Sequence, residues 1–192
     1  MTRPPVRVAV LISGTGSNLR ALVEGAGDAY AVALVLSNKT EAPGLAWAAE
    51  RSIATLALPH APFGKDRQAH EAALDEALRA HDIEVVALAG YMRVLTPWLV
   101  GRWSGRMLNI HPSLLPKYPG LDTHRRALDA GDAEAGCTVH LVSEGVDEGP
   151  ILDQARVQVL AGDTPETLAA RVLAAEHRLY PQALGRFCAG LD

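Results

Sequence analysis

An amide and an imidazole two residues apart, Asn109 and His111, close a short apolar run at 107–110 and lead straight into Pro112-Ser113-Leu114-Leu115-Pro116-Lys117. On an extended strand, residues i and i+2 project to the same side, so both side chains can donate to one ligand atom. Pro112 fixes its own φ and drives His111 toward extended geometry, ending the strand where a reactive side chain should emerge. Such a pair suits stabilisation of a developing oxyanion. The plainer alternative is a histidine satisfied by hydrogen bonds within a turn. Asp147 lies in the turn-rich stretch Gly145-Val146-Asp147-Glu148-Gly149-Pro150. It is either a turn former or, if that loop folds over the site, a carboxylate that favours the protonated imidazole and lets it act as an acid. Ser113 is near His111 in sequence, but no Gly-x-Ser-x-Gly elbow surrounds it, which argues against a serine nucleophile.

A second constellation stands near the start. Ser13-Gly14-Thr15-Gly16-Ser17-Asn18-Leu19 is a glycine-rich turn opening a helix, whose free N–H groups and positive dipole end suit an anion. A dinucleotide fingerprint would place a third glycine at Leu19 and an acidic residue after the second strand, where Ser37-Asn38-Lys39 stands. Nor does the turn end in the Gly-Lys-Ser/Thr of a nucleoside-triphosphate loop. A terminal phosphate monoester on Gly16, Ser17 and Asn18 is the preferred ligand; the alternative is a tight turn with Ser17 or Asn18 as helix cap.

Two charges fall on apolar helix faces. Arg67 precedes Leu74 and Leu78 by 7 and 11 residues, which puts it on their face in the first helical turn, aimed either at a ligand carboxylate or at water. Glu176 interrupts the stripe of Ala169, Leu173 and Tyr180, either to hold a substrate amine or hydroxyl or to pair with Arg178, Arg171 or a lysine.

The elements that must position these groups follow from periodicity. Short Val/Ile/Leu runs alternate with longer Ala-rich segments of helical period, the pattern of βαβ units. Strands are expected at 6–12, 31–36, 54–58, 85–89, 107–110, 137–142 and 151–159, and helices at 18–24, 44–51, 65–80, 97–101, 123–130 and 165–187. The fold class is α/β: a Rossmann-like, mostly parallel twisted sheet of about seven strands flanked by helices, with an antiparallel portion near the C-terminus. Ligands bind at the carboxyl ends of such strands, so the loops starting at Ser13, Ser37, Pro59, Gly90 and His111 should share one surface.

With 192 residues, 48% hydrophobic and 21% charged, the chain fits a single globular domain. A formal net charge of −4 and the lack of a Lys/Arg run argue against nucleic acid or an anionic membrane and for small-molecule ligands. Cys137 and Cys188 show no CxxC or zinc-type spacing, which suggests a reducing compartment and no metal. The apolar stretch before Ser13-Gly14 is too short for a signal segment or a span, so the chain is read as cytoplasmic, as a monomer or homodimer.

Nearly the whole chain resembles the phosphoribosylglycinamide formyltransferase family, folate-dependent enzymes of purine synthesis. The likeness rests on Gly14-Thr15-Gly16-Ser17-Asn18-Leu19, Ser37-Asn38-Lys39, Leu88-Ala89-Gly90-Tyr91-Met92-Arg93-Val94-Leu95, Asn109-Ile110-His111-Pro112-Ser113-Leu114-Leu115-Pro116, Gly136-Cys137-Thr138-Val139-His140 and Glu176-His177. The Asn-x-His-Pro-Ser-Leu-Leu-Pro element is shared with methionyl-tRNA formyltransferases and formyltetrahydrofolate deformylases; the Gly-Ser-Asn loop sets this family apart. The resemblance implies transfer of a formyl group from 10-formyltetrahydrofolate, as cosubstrate, to the amine of glycinamide ribonucleotide, without a metal or a covalent enzyme intermediate. It implies a catalytic trio of Asn109, His111 and Asp147. It places the ribonucleotide at Gly16, Ser17, Asn18 and Glu176. The folate would lie at Arg67, Met92, Arg93, Val94, Leu95, Asn109 and His140 and along the loop Ser143, Glu144, Gly145, Val146 and Asp147. Residues 1–100 would then form a phosphate-binding half and 101–192 a catalytic and folate-binding half. Asp153 and Leu173 depart from the family pattern. The rival functions are a hydrolase releasing formate from the same folate, and a phosphate-ligand sensor without chemistry.

Overall fold

The computed structural model describes residues 3–191. Strand β1 (Val6–Ile12) is buried at every position but one, so its run of valine, leucine and isoleucine reads continuously rather than alternating. It sits inside a seven-stranded sheet of order β3-β2-β1-β4-β5-β6-β7. The chain proceeds through α1 (Ser17–Glu24), β2 (Tyr30–Ser37), α2 (Pro43–Ala49), β3 (Ala54–Ala57), a short 3-10 turn (Ala61–Phe63), α3 (Arg67–Ala80), β4 (Val85–Leu88) and α4 (Pro97–Arg102). Then follow β5 (Met107–His111), α5 (Thr123–Asp129), β6 (Glu134–Leu141), β7 (Ile151–Gln158) and the 25-residue α6 (Pro165–Ala189).

β1 to β5 pair in parallel, while β6 runs antiparallel to β5 and to β7. The expected α/β class and its antiparallel C-terminal portion are therefore present, and all seven strands lie within a few residues of their expected positions. The largest difference is β6, which starts at Glu134 rather than 137, because residues 134–136 continue the ladder to β7 from Gln158 to Arg156. β5 takes in His111, one residue beyond the expected end.

Two apolar cores lie on opposite faces of the sheet. On one, Val8, Val10, Leu108, Ile110, Cys137 and Val139 meet Leu19 and Leu22 of α1 and Leu168, Val172 and Leu179 of α6. On the other, Ala9, Leu11, Val86 and Met107 meet Leu74 and Leu78 of α3 and Leu99 of α4. This second layer stops at β5. Beyond it the same face of β5, β6 and β7 carries polar side chains, covered by loops instead of a helix. That uncovered face and the β1/β4 crevice, where the strand order reverses, are the two places this topology leaves for a ligand.

Candidate active site

Alternation along β5 sends Leu108 and Ile110 into the α6 core and turns Asn109 and His111 to the uncovered face. Antiparallel pairing then sets His140 opposite Asn109 and Thr138 opposite His111, so four polar side chains share one face. The loop after β6 folds back over them. Its Asp147, in the left-handed region at φ 56, brings Oδ2 to 3.3 Å from His111 Nδ1 and Oδ1 to 3.6 Å from His140 Nε2. Asp147 thus sits in a turn and also faces the two rings, since aspartate tolerates this backbone conformation. A Cβ on Gly149, at the loop's exit, would overlap the Leu141 carbonyl oxygen, so the close return to the sheet requires glycine there.

Partners fix the ring tautomers. His111 Nε2 is 2.9 Å from the Tyr118 carbonyl, which only accepts, so Nε2 carries a proton and Nδ1 faces the carboxylate. His140 Nδ1 donates to the Leu141 carbonyl at 2.9 Å, which leaves its Nε2 to accept from the Asn109 amide at 3.3 Å. Asn109 is thereby oriented by His140. For Asp147, burial alone would raise the carboxyl; contact with the His140 ring, the Gly120 N–H at 2.9 Å and the neighbouring His111 outweigh burial and hold it below the usual carboxylate range.

Beneath His111 lies a polar hub that sequence reasoning missed. Thr138, fully buried, donates to the Ser113 carbonyl at 2.7 Å and accepts from Leu115 N–H at 3.1 Å and Gln154 Nε2 at 2.9 Å. Ser113 Oγ donates to the Lys117 carbonyl at 2.6 Å. The hydroxyl is spent on shaping the turn that presents the Tyr118 carbonyl, consistent with the absence of a nucleophile elbow. His124 was also missed: its Nδ1 is buried without a partner among the described residues, and burial, then the neighbouring His111, push its imidazole below the ordinary value. No local signal marks these residues, because cross-strand register and loop closure bring them together.

At the glycine-rich turn after β1, the candidate phosphate turn, Gly16 precedes α1 in the left-handed conformation, φ 75. A Cβ there would crowd Leu19 and the Gly44 backbone, since α2 begins against the turn, with Gly44 N–H donating to the Gly14 carbonyl at 3.2 Å. The alternative of a Ser17 or Asn18 cap is not met: Gly16 holds the cap position and no side chain among the described residues caps the helix. Asn18 is committed elsewhere, donating to Glu176 Oε2 at 2.7 Å, with its own Oδ1 left unpartnered among the described residues. Glu176 makes no ion pair with Arg171, which binds Asp163 instead. Burial pushes the Glu176 carboxyl above its usual range, only partly offset by Asn18. A groove of about 680 Å³ borders the outer side of this turn, between Ser17, Arg20 and Glu24 of α1 and His177, Arg178 and Gln182 of α6, and contains none of the His111 group.

The third cluster is Arg67 with the segment after β4. The Arg67 guanidinium, on the expected helix face, reaches past the end of α3 to the Val94 carbonyl. Met92 and Val94 are largely exposed, at 68% and 63%, Arg93 is half-buried, and Leu95 packs on the α3 core. In the loop after β6, Ser143 closes a loose turn on the Gly145 carbonyl, and Glu144 and Val146 are exposed. Of the departures, Asp153 pairs with Arg186 of α6 and lies opposite Val139, beside a register shift between Val139 and His140, and Leu173 is 37% exposed.

A mostly parallel sheet with a His–Asp–Asn group on its uncovered face and a glycine-rich turn after β1 defines a class, and residues 6–184 match it: the chain belongs to the formyl transferase family. It is 45% identical over 188 residues to phosphoribosylglycinamide formyltransferase of Escherichia coli, covering 96% of this chain and 88% of that one. It is 46% identical over 195 residues to the trifunctional purine biosynthetic protein adenosine-3 of Drosophila pseudoobscura pseudoobscura, of whose length it spans 14%. The crystal structure of phosphoribosylglycinamide formyltransferase from Brucella melitensis superposes with a TM-score of 0.92 at 53% identity, covering 98% of each chain. Among the described residues no helix is long and apolar enough to cross a membrane.

Proposed function

We infer that this chain transfers the formyl group of 10-formyltetrahydrofolate to the amine of glycinamide ribonucleotide. The observation that carries the reading is the convergence of His111, Asp147, His140 and Asn109 on one sheet face, each side chain oriented by a named partner. The amine attacks the formyl carbon, a tetrahedral intermediate forms, and its oxygen takes up negative charge. The Nδ1–H of a protonated His111, in charge contact with Asp147, and the second N–H of the Asn109 amide would supply donors to that oxygen. The bond from the formyl carbon to N10 of the folate then breaks, N10 gains a proton, and the amine loses one through water.

The phosphate of the ribonucleotide would seat on the N–H groups of Gly16, Ser17 and Asn18, with Glu176 facing the same ligand. Glu176 is buried beside α1 and hydrogen-bonded only to Asn18 among the described residues, which leaves its second oxygen for a hydroxyl or amine. For the folate, exposed apolar Met92, Val94 and Val146 offer contact area that water-facing loops rarely present, flanked by Arg67, Arg93, Leu95, Asn109, His140, Ser143, Glu144 and Gly145. Each substrate site draws on both halves of the chain: Asn18 with Glu176, and Arg67 with Asp147.

The relatives named for the formyl transfer to a ribonucleotide favour this reading over the hydrolase. Purified protein with 10-formyltetrahydrofolate should form formylated ribonucleotide when glycinamide ribonucleotide is present and release no formate when it is absent. Formate release at an equal rate without the amine would establish the hydrolase and overturn the transferase.

A further inference from the structure

The segment carrying Met92, Arg93, Val94 and Leu95 is pinned at three backbone positions. The Val94 carbonyl accepts from Arg67. Thr96 N–H donates to Glu71 at 2.8 Å, and its hydroxyl donates to the other oxygen of that carboxylate. Both partners belong to α3 and hold the segment to its own side of the sheet. The third tether goes elsewhere: Met92 N–H donates to Ser13 Oγ at 2.8 Å. Ser13 is the first residue after β1, where the phosphate turn begins, so this bond spans the crevice between β1 and β4.

The hydroxyl is held in that role. Ser13 has one proton to give and donates it to Asn38 Oδ1 at 2.5 Å, from the end of β2, which leaves a lone pair for Met92 N–H. Ser13 and Asn38 are each 5% exposed, so water offers no ready replacement for either bond. The Met92 side chain is 68% exposed and does not anchor its own backbone. Tyr91 anchors the preceding position in the second core, and the Met92 N–H gives its hydrogen bond to one buried hydroxyl at the root of the phosphate turn.

We propose that Ser13 is a positioning residue that couples the two cosubstrate sites: an anion seated on Gly16, Ser17 and Asn18 orders the turn, and through Ser13 Oγ orders the Met92 segment for the folate. The identity of the two ligands rests on the function inferred above; the coupling is additional to it. A turn already ordered by one ligand lowers the entropic cost of ordering the segment for the other, and linkage makes the effect reciprocal.

The test is a pair of calorimetric titrations. The Kd of a folate lacking a transferable formyl group is measured with and without glycinamide ribonucleotide, in the unaltered protein and in Ser13→Ala. The ribonucleotide should tighten folate binding in the unaltered protein, and the tightening should shrink by about fivefold, the worth of one neutral hydrogen bond, in Ser13→Ala. A purely structural role would weaken each ligand by the same factor whether or not the other is bound, leaving the ratio intact. If Ser13→Ala fails to fold, amide exchange in the unaltered protein decides: Met92 N–H should exchange more slowly with ribonucleotide alone, and Val146 N–H should not change. A ratio of one in the unaltered protein, a ratio unaltered by the substitution, or Met92 exchange indifferent to ribonucleotide would overturn the coupling. Any of these alongside normal formyl transfer leaves the function standing, whereas absent transfer in the unaltered protein defeats the function itself.

Discussion

Replacing Asp147 by asparagine keeps the side chain's shape and removes its charge. The amide oxygen can still accept from Gly120 N–H, now 2.9 Å from Oδ2, so the loop should keep its place. What is lost is the anion 3.3 Å from His111 Nδ1. At that separation and an effective dielectric of about 20, the gross attraction to a charged ring is about 5 kcal/mol. Desolvation of the pair cancels much of this, and the net worth of a hydrogen bond to a charged group is about 1.5–3 kcal/mol. The Asp147 side chain is only 11% exposed, so solvent screening reduces that range little. If the interaction acts mainly in the transition state, kcat should fall by about ten- to a hundredfold. The assay is single-turnover formyl transfer with both substrates saturating, with KM for the ribonucleotide measured alongside. That KM should stay within about twofold, because Asp147 contacts none of Gly16, Ser17, Asn18 or Glu176. A kcat within about twofold of the unaltered protein, or a loss appearing wholly in the ribonucleotide KM, would refute the assignment. Because the Asp147 carboxyl is held below its usual range, its contribution is complete above the unfolded value of about pH 4 and is lost only as pH falls through the lower folded value. Activity changes between about pH 5 and 8 therefore belong to other groups.

Glu176→Gln keeps an acceptor for Asn18 and removes a buried charge whose pKa is raised. Its destabilisation of the fold is present above the raised folded value and absent below the unfolded value of about 4.3, so the variant should gain thermal stability at pH 7 and lose that advantage as pH approaches 4. Thermal melts across that range check the sign, and ribonucleotide affinity should fall in the same variant. Thr138→Val is nearly isosteric but strips the hub from Leu115 N–H, Gln154 and the Ser113 carbonyl; about 1–3 kcal/mol of stability should be lost in urea titrations. Gly149→Ala forces the loop away from the Leu141 carbonyl, so transfer should drop while the fluorescence signal of global unfolding shifts by no more than about 1–3 kcal/mol.

Much of this architecture can be read along the chain because it is local. Each strand is a short β-branched run and each helix an Ala-rich segment of helical period, and period and turn residues are near-neighbour properties. The placing of Asn109 and His111 on one side follows from a two-residue spacing alone. Glu176 announces itself as a charge in an apolar stripe, yet its partner Asn18 lies 158 residues away and no pattern connects them. Thr138 and Gln154 enter the site through antiparallel register, and Tyr118 and Gly120 contribute backbone atoms, which carry no side-chain signature. Arg67 was legible as misplaced charge, but its partner, the Val94 carbonyl, became visible only once α3 and the segment after β4 were side by side.

The most direct measurement is formyl transfer by His111→Ala, with ribonucleotide and folate binding determined on the same preparation. Transfer should fall by about a hundredfold or more, the cost of losing one oxyanion donor, while the ribonucleotide still binds. Transfer at the unaltered rate by a folded His111→Ala protein would contradict the assignment of the imidazole to the reacting oxygen.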